Sequence, residues 1–202
     1  MTNSLFPVPE GTNLPVSADL ADDLVSVGSA VESGRTNYLK FSKTGEWVYG
    51  ADDDQVDSDT IIAVNPASFT IGWQGWNGGV PVEGPVVPIS QRGQLPAESE
   101  LEAIPAGDMN GWNKMLGVSM QILTDGTPLQ FSATSYGGKQ AITGLMKAVG
   151  LGLKSHPEAP VALVKLSGDS YRHAKFGKIH TPVITVVGWA DADGKEVKKL
   201  AA

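Results

Sequence analysis

The sequence contains no cysteine, which excludes a disulfide framework and thiolate metal ligation and points to a reducing compartment. Long apolar runs are missing too. No stretch approaches the roughly 18 consecutive apolar residues that a membrane helix needs. The opening segment, MTNSLFPVPEGTNLPVSADLADD, has neither a basic n-region nor an apolar h-region. These absences predict a soluble, intracellular protein with no membrane partner. Sustained helical periodicity is scarce: 24 Gly and 13 Pro divide the 202 residues into short pieces, and few windows keep a 3.6-residue apolar period beyond about three turns. A hydrophobic content of 41% is enough for one domain with a real core. The expected fold class is therefore mainly β (α+β), an OB-like barrel or twisted antiparallel sheet with one main helix at about residues 139–153.

Read along the chain, residues 1–35 form a flexible acidic arm in which Ser17 could cap a short helix over 18–31. A single β-rich domain follows over residues 36–190, and residues 191–202 form a C-terminal tail. Tyr38-Leu39-Lys40-Phe41, a Thr44-Gly45 turn and Trp47-Val48-Tyr49 predict a hairpin. Residues 60–64 and 68–76 read as strands, with Asn77-Gly78-Gly79 as a turn. Three prolines assign residues 80–89 to a sheet edge, and residues 90–111 read as a long loop. A strand over 112–123 turns at Asp125-Gly126 into a second over 129–134, which Gly137-Gly138 ends. In the helix, Ile142, Leu145, Met146 and Val149 share one apolar face. Two last strands, 161–167 and 182–189, bracket a basic, aromatic segment.

Charge is segregated along the chain. The formal net charge is -7, yet residues 1–111 hold 16 Asp/Glu against 4 Lys/Arg while residues 130–189 hold 2 against 7, so an acidic half leaves a basic surface available for a polyanion. Within that basic half, Arg172, Lys175 and Lys178 supply cations at three-residue spacing, and Tyr171, His173, Phe176 and His180 supply ring faces. Cations for phosphate and flat rings for bases are what sequence-independent single-strand binding needs. The same residues also suit a solvated sheet edge. Ser135-Tyr136-Gly137-Gly138-Lys139 could offer amides and the Lys139 ammonium to a phosphate at the helix start, although the P-loop spacing is absent. Trp73 and Trp76 lie three apart and point to opposite faces of a strand, so one is expected in the core and the other as a stacking platform. The carboxylates of residues 52–59 could attract Mg²⁺ or Ca²⁺, but the spacing fails the EF-hand pattern. His173 and His180 could meet on a hairpin, and Ser170 with His173 could suggest a nucleophile pair, but no orienting third group accompanies either. No catalytic residue, cofactor or metal is expected.

Three segments carry a family resemblance: Tyr38-Leu39-Lys40-Phe41 through Gly45-Glu46-Trp47-Val48-Tyr49-Gly50; Asn65-Pro66-Ala67-Ser68-Phe69 through Gly72-Trp73 and Trp76; and Ser170-Tyr171-Arg172-His173 through Phe176-Gly177-Lys178-Ile179, Thr181-Pro182 and Trp189. Together, over about residues 36–190, they resemble a family of tailed-bacteriophage and prophage proteins encoded among replication and recombination genes. The resemblance implies a protein of the infected bacterial cytoplasm that handles DNA. Single-stranded DNA binding in phage replication or recombination joins it to the basic aromatic segment, with phage replication proteins and a homo-oligomer as possible partners. Phosphates would then fall to Lys139, Arg172, Lys175 and Lys178, and bases to Tyr136, Tyr171, His173, Phe176 and one of Trp73 or Trp76. Phage single-strand binders often end in an acidic tail, whereas this chain ends in a formally neutral one. Two alternatives stand beside this reading: an oligomeric structural or interaction protein, such as a virion component or an inhibitor of a host protein, and a metal-dependent nuclease.

Overall fold

The computed structural model describes residues 37–105, 107, 111–191 and 196–199. The expected helix over 18–31 and the rest of the arm lie outside them. Within the described residues eleven strands and one main helix follow in order: β1 (Asn37–Phe41), β2 (Trp47–Tyr49), β3 (Asp54–Gln55), β4 (Ile62–Val64), β5 (Thr70–Asn77), β6 (Val80–Pro88), β7 (Gly111–Ile122), β8 (Pro128–Ala133), α1 (Tyr136–Ser155), β9 (Val161–His173), β10 (Gly177–Ala190) and β11 (Glu196–Lys199). The fold is mainly β, with one main helix against a strongly curled, half-barrel sheet, an OB-like α+β arrangement.

Short-range chemistry accounts for most of the elements. In β1, Leu39 is buried while Tyr38 and Lys40 are exposed, the period-2 alternation of a half-buried strand. The turn into β2 passes through Gly45 at φ +92°, where a side chain would be strained. β4 is central: Ile62 lies between Ile122 of β7 and Val164 of β9, and it is fully buried. Among the described residues β6 pairs only with β5, so Pro81, Pro85 and Pro88 sit on an edge strand as their missing N–H groups require. The turn between them holds Gly78 and Gly79, both at positive φ. The segment expected as a tail contributes β11, which pairs with β10.

The pairing path runs β11-β10-β9-β4-β7-β8-β1-β2-β3, with β5 and β6 branching from β7. β1 pairs in parallel with β8, opposing Leu39 to Phe131, while the other pairs are antiparallel. Although β2 and β9 lie far apart on that path, the Trp47 indole Nε1–H donates to the Ser167 carbonyl at 2.7 Å. The sheet has curled until its first hairpin meets β9. Gly168 permits that approach, because a Cβ there would stand 2.9 Å from the Phe41 ring and 3.0 Å from the Gly45 carbonyl.

α1 closes the core by placing Ile142, Leu145 and Val149, one every three or four residues, against the sheet. Each such side chain contributes about 1.5–3 kcal/mol on burial. The helix starts three residues earlier than expected. Ser135 is its N-cap, accepting from the Gly138 N–H at 3.2 Å, and Gly137-Gly138 form the first turn instead of ending a strand. Two glycines argue against a helix by propensity, but a Cβ on Gly138 would stand 2.5 Å from that of Ala133. Tight packing on β8 overrides propensity there.

Candidate nucleic-acid interface

An open groove of about 1220 Å³ runs between β1 and β10, with the end of β8 and the start of α1 along its length. Six aromatic residues line it: Tyr38 and Phe41 of β1, Trp76 of β5, Phe131 of β8, Tyr136 of α1 and Tyr171 of β9. The three tyrosines are 56%, 78% and 51% exposed, values that leave ring faces open to a ligand. Hydroxyls of Ser42, Thr134, Ser135 and Thr181 stand among them, and Lys40, Lys43 and His180 add basic groups. Lys40 is held by Asp53, Nζ to Oδ1 at 2.9 Å. Lys43 has no ion-pair partner among the described residues.

The basic aromatic segment is no loop between strands but the outer end of a long hairpin, since β9 and β10 run on to the turn at residues 174–176. Arg172 and Lys178 are direct cross-strand partners. Like charges so placed repel, and neither has a carboxylate partner among the described residues. At the turn, His173 Nδ1 accepts from the backbone N–H of Lys175 at 3.1 Å and of Phe176 at 3.3 Å. Its ring stacks on Phe176 with centroids 4.8 Å apart, and the Lys175 ammonium lies 5.4 Å from the Phe176 centroid. Phe176 is still 67% exposed.

Of the residues singled out in the sequence, Tyr136, Tyr171 and Trp76 meet in the groove, and Arg172, His173, Lys175, Phe176 and Lys178 meet on the hairpin end. Two leave the candidate surface. Trp73 is 6% exposed, with its Nε1–H donated to the Pro96 carbonyl at 3.0 Å and the Lys114 ammonium over its ring. It is the core member of the tryptophan pair, while Trp76 is half-buried and lines the groove. Lys139 sits in the second turn of α1, outside the groove lining. The expected anion seat weakens with it, because the Gly138 and Lys139 amides both donate to Ser135.

Other expectations fail on register. His180 opposes Ser170 and His173 opposes Gly177, which sends the two imidazoles to opposite faces of the hairpin. Ser170 and His173, three apart on one strand, diverge for the same reason. In the acidic stretch, Asp53 and Asp59 are bonded to Lys40 and Lys165. The hydrogen bond and charge of Lys165 hold the Asp59 carboxyl below the usual carboxylate range. Among the described residues no group of three or more His, Asp or Glu side chains could hold a metal ion.

His180, expected to supply a ring face, lines the groove; Tyr38 and Lys43 are additions by the structure, and of these Tyr38 carries a readable signal. With Leu39 turned inward, period-2 alternation sends Tyr38 outward, but only the curl of the sheet brings β1 to face β10. Comparison with family models, with curated proteins and with solved structures finds no match.

Proposed function

We propose that the protein binds single-stranded DNA without reading its sequence, bases stacking in the groove and phosphates meeting the hairpin end. The observation that carries this reading is the gathering of Tyr38, Tyr136, Tyr171 and Trp76 in one open groove. Rings with free faces accept any base, each stack contributing ~1–3 kcal/mol. Arg172, Lys175 and Lys178 lie on the same hairpin as Tyr171 without carboxylate partners among the described residues, so a phosphodiester would relieve their mutual repulsion. The resemblance to phage replication and recombination proteins favours DNA over RNA and a role in phage DNA metabolism.

Fluorescence anisotropy of a labelled oligo-dT across a salt series, with duplex DNA as competitor, tests the reading. Tight, salt-sensitive binding that duplex does not displace is expected. Tyr136→Ala or Tyr171→Ala should each weaken it by ~1–3 kcal/mol, and Lys178→Ala should lower the salt slope by roughly 0.7. No binding at low salt would overturn it. Attention would then pass to protein partners and to the edge strand β6, which exposes Val80 and Val86.

A further inference from the structure

From the geometry of the hairpin end we infer that His173 is not a stacking platform but the positioning residue of Phe176, and that it makes the tip sensitive to pH. Its Nδ1 is the acceptor for both turn amides, Lys175 N–H and Phe176 N–H. An imidazole accepts at Nδ1 only when neutral with its proton on Nε2; protonation turns both nitrogens into donors. A protonated His173 would then aim an N–H at two other N–H groups. Both turn bonds are lost together, and with them the backbone geometry that holds Phe176 against the His173 ring.

Among the described residues no carboxylate pairs with His173. On β9 the preceding side chain is Arg172; across the hairpin stand Gly177 and Lys178; in the turn Lys175 lies over the Phe176 ring. The nearest carboxylate in sequence, Asp169, is four residues back and accepts from the Ser170 N–H at 2.7 Å. Three cations therefore belong to the tip, Arg172 and Lys178 on the opposite face of the hairpin from His173, and Lys175 in the turn, and protonation of His173 adds a fourth charge to this basic segment as it removes the acceptor. The ordered turn therefore belongs to the neutral imidazole, favoured at higher pH, and the loosened one to the imidazolium, favoured at lower pH. For the single-strand binding proposed above, on which this second step rests, acid withdraws the stacking face of Phe176 while leaving the groove rings of Tyr38, Tyr136 and Trp76 in place.

Two readouts on the intact chain separate this inference from the binding proposal. In the free protein, amide hydrogen exchange of Lys175 and Phe176, corrected for intrinsic pH dependence, is followed by NMR at pH 7.5 and 5.5. Protection of both amides at the higher pH and its loss at the lower is expected, with the neutral His173 ring in its Nε2–H form. His173→Asn, whose side-chain oxygen can accept from the same amides without titrating, should keep protection at both values; His173→Ala should lack it at both. Equal wild-type protection at the two pH values, or a wild-type-like loss in the Asn variant, overturns the inference whether or not DNA binds. In the second readout, Phe176→Ala should weaken oligo-dT affinity at least about fivefold at pH 7.5, shrinking toward no effect at pH 5.5. In the His173→Asn background it should remain the same at both. A Phe176 effect independent of pH in the wild type would also overturn the assignment.

Discussion

Gly144 and Gly152 sit on the same helix and carry opposite expectations. Replacing glycine by alanine in a helix interior ordinarily stabilises by about 1 kcal/mol. A Cβ at Gly144 would meet nothing within 4 Å, so Gly144→Ala should raise the thermal midpoint by that increment, although it narrows the groove that Gly144 helps to line. At Gly152 the same methyl would land within the Trp189 indole, which is itself buried against α1. Overpacking of this kind costs ~1–3 kcal/mol or more, and three ring atoms are involved, so the clash outweighs the propensity gain. Gly152→Ala should lower the denaturation midpoint, and a raised midpoint would show that Trp189 has room to move. Helical phase puts Gly152 on the buried face with Leu145 and Val149 and Gly144 on the exposed one, but only the position of a tryptophan 37 residues after Gly152 shows that Gly152 is a socket.

At the scale of elements, the readable features were those whose cause is local. The β1–β2 hairpin and the turns at Gly78-Gly79 and Asp125-Gly126 follow from alternation and turn chemistry. The proline-bearing β6 falls on the edge that its missing donors demand. The start of α1 was misread because Gly137 and Gly138 are poor helix formers, while the reason for them lies in β8, at Ala133. By sequence one strand ends at residue 167 and the next starts at 182 with the basic segment between them, whereas β9 and β10 run on through that segment as one hairpin. That difference matters for the candidate site. On a continuous hairpin Tyr171 and Ile179 are fixed partners on one face and Arg172 and Lys178 on the other, and both members of the first pair line the groove. The three-residue spacing of Trp73 and Trp76 divides them into core and surface but does not assign them, since each follows a glycine.

The whole molecule depends on a curl that no local pattern encodes, and the Trp47–Ser167 hydrogen bond marks where it closes. Trp47→Phe keeps most of the packing against Phe41 and Phe131 but leaves the Ser167 carbonyl without its donor. The expected cost is ~1–3 kcal/mol, read as a lower denaturant midpoint at unchanged slope, together with weaker oligo-dT affinity because the β1–β2 turn forms one side of the groove. An unchanged midpoint would mean that packing alone holds the hairpin down. The parallel pairing of β1 with β8 also sets an order of events in folding. Leu39 and Phe131 are neighbours in the sheet but remote in the chain, and closing so long a loop is favourable only once the later partner exists. β7, β8 and α1, contiguous in sequence, form the wall onto which the first-made segment docks last. Stopped-flow kinetics should therefore find that Leu39→Ala chiefly accelerates unfolding while Val118→Ala slows refolding, so the groove comes into being only at the final step of the chain's collapse.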